Sequence, residues 1–167
     1  MALVIAEASY DRPLQDVDKQ RQLGGNDVQW SYSLLAQNGK RQIYVFEAPD
    51  ANAVQTCFRQ TDTPFDTIWE GTKVLPSYGS FQRNERLLKV IEGTYPPVTP
   101  EFWNMANALS IDCFQPRGVD WLHSFMSSDR TRIICELNAP DAEVIRETYR
   151  RFNAPFERVW AAKLLKP

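Results

Sequence analysis

Apolar and polar positions alternate along residues 28–36, where Val28, Trp30, Tyr32 and Leu34 fall on one side of an extended chain. A period of two marks a strand with one buried face. Asn38-Gly39 follows as a tight-turn signal, and residues 41–47 read as the returning strand. Pro49 ends that strand, and Asp50 offers a carboxylate to the free N–H groups of a new helix. Val54, Phe58 and Thr61 then recur at i, i+4 and i+7, one apolar stripe on a helix that Pro64 stops. Residues 65–75 return to an extended pattern. Upstream, residues 3–10 (LVIAEASY) form a first strand, closed by the turn Asp11-Arg12-Pro13. Leu14 and Val17 start a weak helical period through Gln22, which Gly24-Gly25 terminates.

The same pattern is then written a second time. A constant shift of 91 residues aligns residues 28–76 with 119–167 without a gap, matching Trp30 to Trp121, Ala48-Pro49-Asp50-Ala51 to Ala139-Pro140-Asp141-Ala142, and Trp69 to Trp160. Residues 87–95 echo residues 3–10 at a shift of 85, with Glu92 opposite Glu7 and Tyr95 opposite Tyr10. The first helical region of the second half is therefore longer. It opens at Thr99-Pro100-Glu101 and carries Phe102, Met105, Ala106 and Leu109 on one stripe. A later helix capped by Asp141 turns Ile145, Tyr149 and Phe152 inward.

Each half reads βαββαβ, which predicts two tandem ferredoxin-like repeats in the α+β class, residues 1–79 and 80–167. Residues 76–86 carry Pro, Gly and Ser and serve as the linker. Helices on one face of a four-stranded sheet leave its other face bare. Two sheets packed face to face, as a pseudo-dimeric α+β barrel, would bury both and could enclose a pocket between the repeats.

Charge and composition narrow the partners. The chain has 167 residues, a net charge of −2 and 43% apolar residues. That balance argues against a nucleic-acid surface. The absence of a long apolar run or a basic leader argues against membrane insertion or export. Three cysteines at wide spacing, Cys57, Cys113 and Cys135, suit reduced thiols in the cytoplasm better than a disulfide framework.

The candidate chemistry is concentrated in the second half. His123, the single histidine, is expected on the same strand face as Val119, Trp121 and Phe125. Its imidazole suits a metal ligand or a proton carrier, and equally a hydrogen-bonded core position. Cys135 lies on the next strand, and one residue of register decides whether it meets His123. Glu92, like Glu7, interrupts an apolar strand. An exposed edge, an ion pair with Arg132 (Arg41 for Glu7) or a metal contact would each account for it. The metal candidates are thus His123, Cys135 and Glu92. Trp121, Trp30 and Tyr32, the last being the counterpart of His123, are the candidate ligand-contact aromatics.

Trp121-Leu122-His123-Ser124-Phe125, then Cys135 with Ala139-Pro140-Asp141, Glu143-Val144-Ile145-Arg146-Glu147 and Pro155-Phe156-Glu157-Arg158-Val159, together resemble a bacterial family of small ferredoxin-like proteins of unknown function with a nickel-binding branch. The resemblance implies a divalent transition metal, nickel above all, near His123, Cys135 and Glu92. Thr148 stands where that family often has a second histidine, and Tyr32 and Tyr44 replace His and Cys in the first half. The expectation is a cytoplasmic small-ligand or metal-binding protein. A cofactor-independent enzyme on a small aromatic substrate and a protein-interaction scaffold are the alternatives, and a homodimer or a protein partner stays open.

Overall fold

In the computed structural model, which describes residues 1–25 and 27–167, eight strands and three α-helices alternate along the chain. They are β1 (Ala2–Ser9), β2 (Gln29–Ala36), β3 (Arg41–Ala48), α1 (Ala51–Gln60), β4 (Thr67–Val74), β5 (Leu88–Thr94), α2 (Pro100–Leu109), β6 (Asp120–Ser127), β7 (Arg132–Asn138), α3 (Ala142–Arg151) and β8 (Arg158–Leu165). The helix anticipated from Leu14 and Val17 shrinks to a 3-10 turn at Asp18–Gln22. Its approach is held instead by the first hairpin: Leu14 N–H donates to the Gly39 carbonyl (2.9 Å). Gly39 has a φ of 72° and sits where a Cβ would press on Pro13 at 3.1 Å, so glycine serves both the turn and the close approach.

The strands hydrogen-bond in the order β1-β3-β2-β8-β5-β7-β6-β4 and close into one antiparallel barrel. This corrects the expected fold of two tandem ferredoxin-like sheets stacked as a pseudo-dimeric α+β barrel: the strands make a single ring. The alternating pattern determines which side of a strand is apolar, but says nothing of what pairs with its outer edge. Unpaired edge groups are best satisfied by closure.

By packing, the chain divides into two compact units, Met1–Gly71 with Lys163–Pro167, and Thr72–Ala162. In the first, β1 lies between β3 and β4. Val4, Ala6, Tyr44 and Phe46 pack on Val54 and Phe58 of α1. The Asp50 carboxylate caps α1 by accepting from Ala53 N–H (2.8 Å).

In the second unit, β5 lies between β7 and β8, and β6 pairs with the far edge of β7. Thr99 caps α2 and Asp141 caps α3, each accepting a backbone N–H three residues on; such caps contribute about 1 kcal/mol each. Ile91, Trp121, Leu137 and Ile145 form the centre of this unit's core. The linker is pinned along β7: Asn138 accepts from Asn84 N–H (2.8 Å) and donates to the Gln82 carbonyl (2.8 Å).

Both units carry a bulge at matching places. Trp30 opposes Phe46 and Tyr32 opposes Val45, leaving one extra residue on β2; Trp121 opposes Leu137 and His123 opposes Glu136, leaving one extra on β6. A bulge brings positions i and i+3 to the same face. Each tryptophan accordingly donates to the serine three residues on, Trp30 to Ser33 (2.9 Å) and Trp121 to Ser124 (3.0 Å).

Candidate ligand-binding site

The second unit contains a cavity of about 380 Å³ beneath α2 and α3. Its floor is the face of β5, β7 and β6 that carries Ile91, Ile133, Cys135, Leu137 and Trp121, and its walls include Trp103, Phe114 and Tyr149. Phe102, Met105 and Phe152 line it as well, yet all three are exposed large apolar side chains. Phe152, expected to turn inward, joins Phe102 and Met105 of the α2 stripe at the rim of an apolar opening.

Comparison with the first half shows why the space exists. Under the 91-residue shift, Gln42, Tyr44 and Phe46 correspond to Ile133, Cys135 and Leu137. In the first unit Tyr44 and Phe46 are fully buried, and Tyr44 meets the Phe58 ring edge-on at 5.1 Å. The Tyr44 hydroxyl is hydrogen-bonded to that of Tyr10 (2.8 Å), while Gln42 and Gln20 exchange two amide bonds of 2.7 and 2.9 Å. A thiol at Cys135 removes the volume of a phenol ring, and the longer α2 bridges the opening without filling it.

The polar groups around the cavity are few and mostly engaged. Ser124 Oγ–H donates to Cys135 Sγ (2.8 Å), and the Tyr95 hydroxyl donates to the Pro155 carbonyl (2.8 Å). Burial pushes the Cys135 thiol up to about 12, with the Ser124 hydrogen bond opposing and Glu136 reinforcing the shift. Burial likewise raises Tyr149 well above the usual phenol range. The Cys135 thiol and the Tyr149 phenol are therefore both neutral at neutral pH. Cys57 and Cys113 are half-buried free thiols, so a thiol-specific disulfide reagent at pH 8 should modify these two in the native protein and reach Cys135 only on unfolding. Because the folded thiol holds its proton more tightly than the unfolded one, Cys135's contribution to stability is whole below pH 9 and falls as pH rises from 9 towards 12. Early modification of all three thiols would contradict this.

The residues singled out from the sequence are dispersed. Ser124 opposes Cys135, and His123 opposes Glu136. His123 and Cys135 thus project from opposite faces of the β6–β7 ribbon. The bulge also separates His123 from the face of Trp121, correcting the expectation that they share one. His123 stays beside Phe125, ring centres 5.1 Å apart. Glu92 is fully buried, not an exposed edge residue. Arg132 donates to its Oε1 (2.6 Å) and Trp160 to its Oε2 (2.7 Å). Glu7 repeats the arrangement with Arg41 (2.6 Å) and Trp69 (2.6 Å). Trp30 belongs to the first unit's core, and Tyr32 opposes Val45 on β2. Of the three expected ligand-contact aromatics, Trp121 lines this cavity.

Glu136 and Arg83 were not anticipated. Glu136 is fully buried; its Oε1 accepts two bonds from Arg83 (3.0 and 2.6 Å), and its Oε2 meets His123 Nε2 at 2.5 Å. Glu136 had a visible signal, a carboxylate inside the apolar run Ile133–Leu137. Arg83, in the linker, had none.

His123, Cys135 and Glu92 do not converge on one metal position. No group of three or more His, Cys, Asp or Glu among the described residues could hold a metal ion. Glu92 and Glu136 are each engaged by a guanidinium, and the single imidazole faces away from Cys135. No helix among the described residues is long and apolar enough to cross a membrane, which says nothing of strands.

No curated protein matches the chain. Among solved structures, a candidate monooxygenase from Fusobacterium nucleatum subsp. nucleatum aligns over 98% of this chain and 92% of its own, with a TM-score of 0.50 and 9% identity, a likeness of fold alone. A structure described as an anthrone oxidase-like protein aligns over 99% and 91%, with a TM-score of 0.46 and 8% identity. Residues 90–161, which include β6, β7, α3 and the residues on the cavity floor, match the family described as nickel responsive protein SCO4226-like, and over that stretch the chain is similar to that family.

Proposed function

We propose that the second unit binds a small, largely apolar organic molecule under α2 and α3. One observation carries this reading: a cavity of about 380 Å³ lined by aromatic and aliphatic side chains opens past Phe102, Met105 and Phe152, which the fold leaves exposed. Pockets for small ligands run from roughly 300 to 1,000 Å³ and are lined in this way. We also read residues 1–79 and 80–167 as two copies of one ancestral half, of which the second has given up a core tyrosine for binding space.

Trp103 and Trp121 both border the cavity, so occupancy should quench tryptophan emission. Titration with a neutral aromatic amine such as N-phenyl-1-naphthylamine should give saturable one-to-one binding. Ala106→Trp places an indole into the space from α2 and should weaken that binding at least tenfold while leaving the far-ultraviolet circular dichroism unchanged. Equal binding by the two proteins would remove the site.

The family match over residues 90–161 favours a second reading, nickel binding. Calorimetric titration with nickel separates the two. Heat that saturates at one equivalent and vanishes in His123→Ala would support the metal; binding that survives His123→Ala would place it elsewhere.

A further inference from the structure

Resting on the cavity reading above, we infer that the ligand is an uncharged molecule with a hydrogen-bond acceptor, such as an aromatic ketone or aldehyde, held by the Tyr149 hydroxyl. Tyr149 lies on α3 and lines the cavity, its ring against Phe114 (6.3 Å) and edge-on to Phe156 (5.7 Å). These contacts hold the ring from two sides. The neighbouring hydroxyls are all engaged: Tyr95 with Pro155, Thr148 with the Val144 carbonyl (2.8 Å) and Ser110 with the Ala106 carbonyl (2.9 Å). No hydrogen bond joins the Tyr149 hydroxyl to another described residue, which makes it the phenol left for a guest. A polar group beside an apolar space is costly without a partner, and a carbonyl oxygen is the partner a phenol O–H suits.

Charge selects in the same direction. The lining contains no lysine or arginine, and its one acidic residue, Glu92, has its carboxylate bound by Arg132 and Trp160. A carboxylate guest would find no cation, and an ammonium guest no open anion; either would lose its hydration without return. The thiol of Cys135 is protonated at neutral pH and adds no charge.

Three matched probes test this by equilibrium dialysis at pH 7: 2-acetonaphthone, its hydrocarbon counterpart 2-isopropenylnaphthalene, and 2-naphthoate. The ketone should bind about fivefold to tenfold tighter than the hydrocarbon, the margin of one net hydrogen bond, and naphthoate weakest. Tyr149→Phe should erase the ketone's advantage and leave hydrocarbon binding unchanged. Equal affinity for ketone and hydrocarbon in the native protein overturns the acceptor inference while sparing the cavity, as does a ketone preference that survives Tyr149→Phe. Tightest binding by naphthoate overturns the charge argument. Failure of every probe to bind overturns the cavity reading and this inference with it.

Discussion

Glu136→Ala is expected to lower the unfolding free energy by about 3–5 kcal/mol, read from urea denaturation at pH 7. The Glu136 carboxylate has no solvent exposure and is bonded on both oxygens, to Arg83 and to His123. Water cannot replace it. Its loss would leave a guanidinium that holds the linker to β7 without its acid, and the imidazole without the oxygen it meets at 2.5 Å. Glu136→Gln keeps an acceptor and should cost less. The contrast is Glu147→Ala on α3, whose partner Arg151 lies at a similar distance (2.9 Å) with both side chains more than half exposed. That pair is screened, and its loss should cost under about 0.5 kcal/mol. If the two alanine variants cost the same, the buried triad is not what holds the linker in place.

Cys135→Tyr is expected to abolish binding of a neutral aromatic probe, a loss of at least a hundredfold, with the protein still folded. The first unit shows the filled arrangement: Tyr44, at the matching position, packs edge-on against Phe58 and hydrogen-bonds Tyr10. Tyr149 and Tyr95 stand at the corresponding places in the second half. A ring entering an existing void avoids the overpacking that the same change would cause in a close-packed core. Stability should therefore be unchanged or higher. Cys135→Ser keeps the space and should keep probe binding. Unaltered binding by Cys135→Tyr would show that the guest does not use this floor, even if Ala106→Trp had blocked its entry.

Much of the local structure was legible in the chain. The caps at Asp50, Thr99 and Asp141 and the hairpin at Asn38-Gly39 depend on interactions within a few residues, and they form where the residue types indicated. Glu7 and Glu92 stood out as acids in apolar strands, and the pairs with Arg41 and Arg132 were among the accounts the sequence left open; which account held, and that Trp69 and Trp160 join them, was not visible. An isolated strand cannot show that an arginine and a tryptophan from two neighbouring strands converge on one carboxylate. The bulge at Trp121–His123 was hidden for a related reason. One extra residue in a ladder costs nothing visible in the alternation, yet it turns His123 away from Trp121 and from Cys135. The metal constellation depended on that single residue of register.

The amino-acid order alone established a pattern written twice, the type and place of most elements, and the local stops and caps, because these follow from short-range sterics and hydrogen bonding. Tertiary structure decided the closed ring of strands, the three buried carboxylate networks with their arginines, and the cavity over Cys135. Each of these depends on which edges and faces meet across long stretches of chain, and on how much volume the facing side chains leave. The exchange of Tyr44 for Cys135 between the halves was plain to read. That it opens a space under α2 and α3, with Tyr149 beside it, became apparent only once the helices were in place over the sheet.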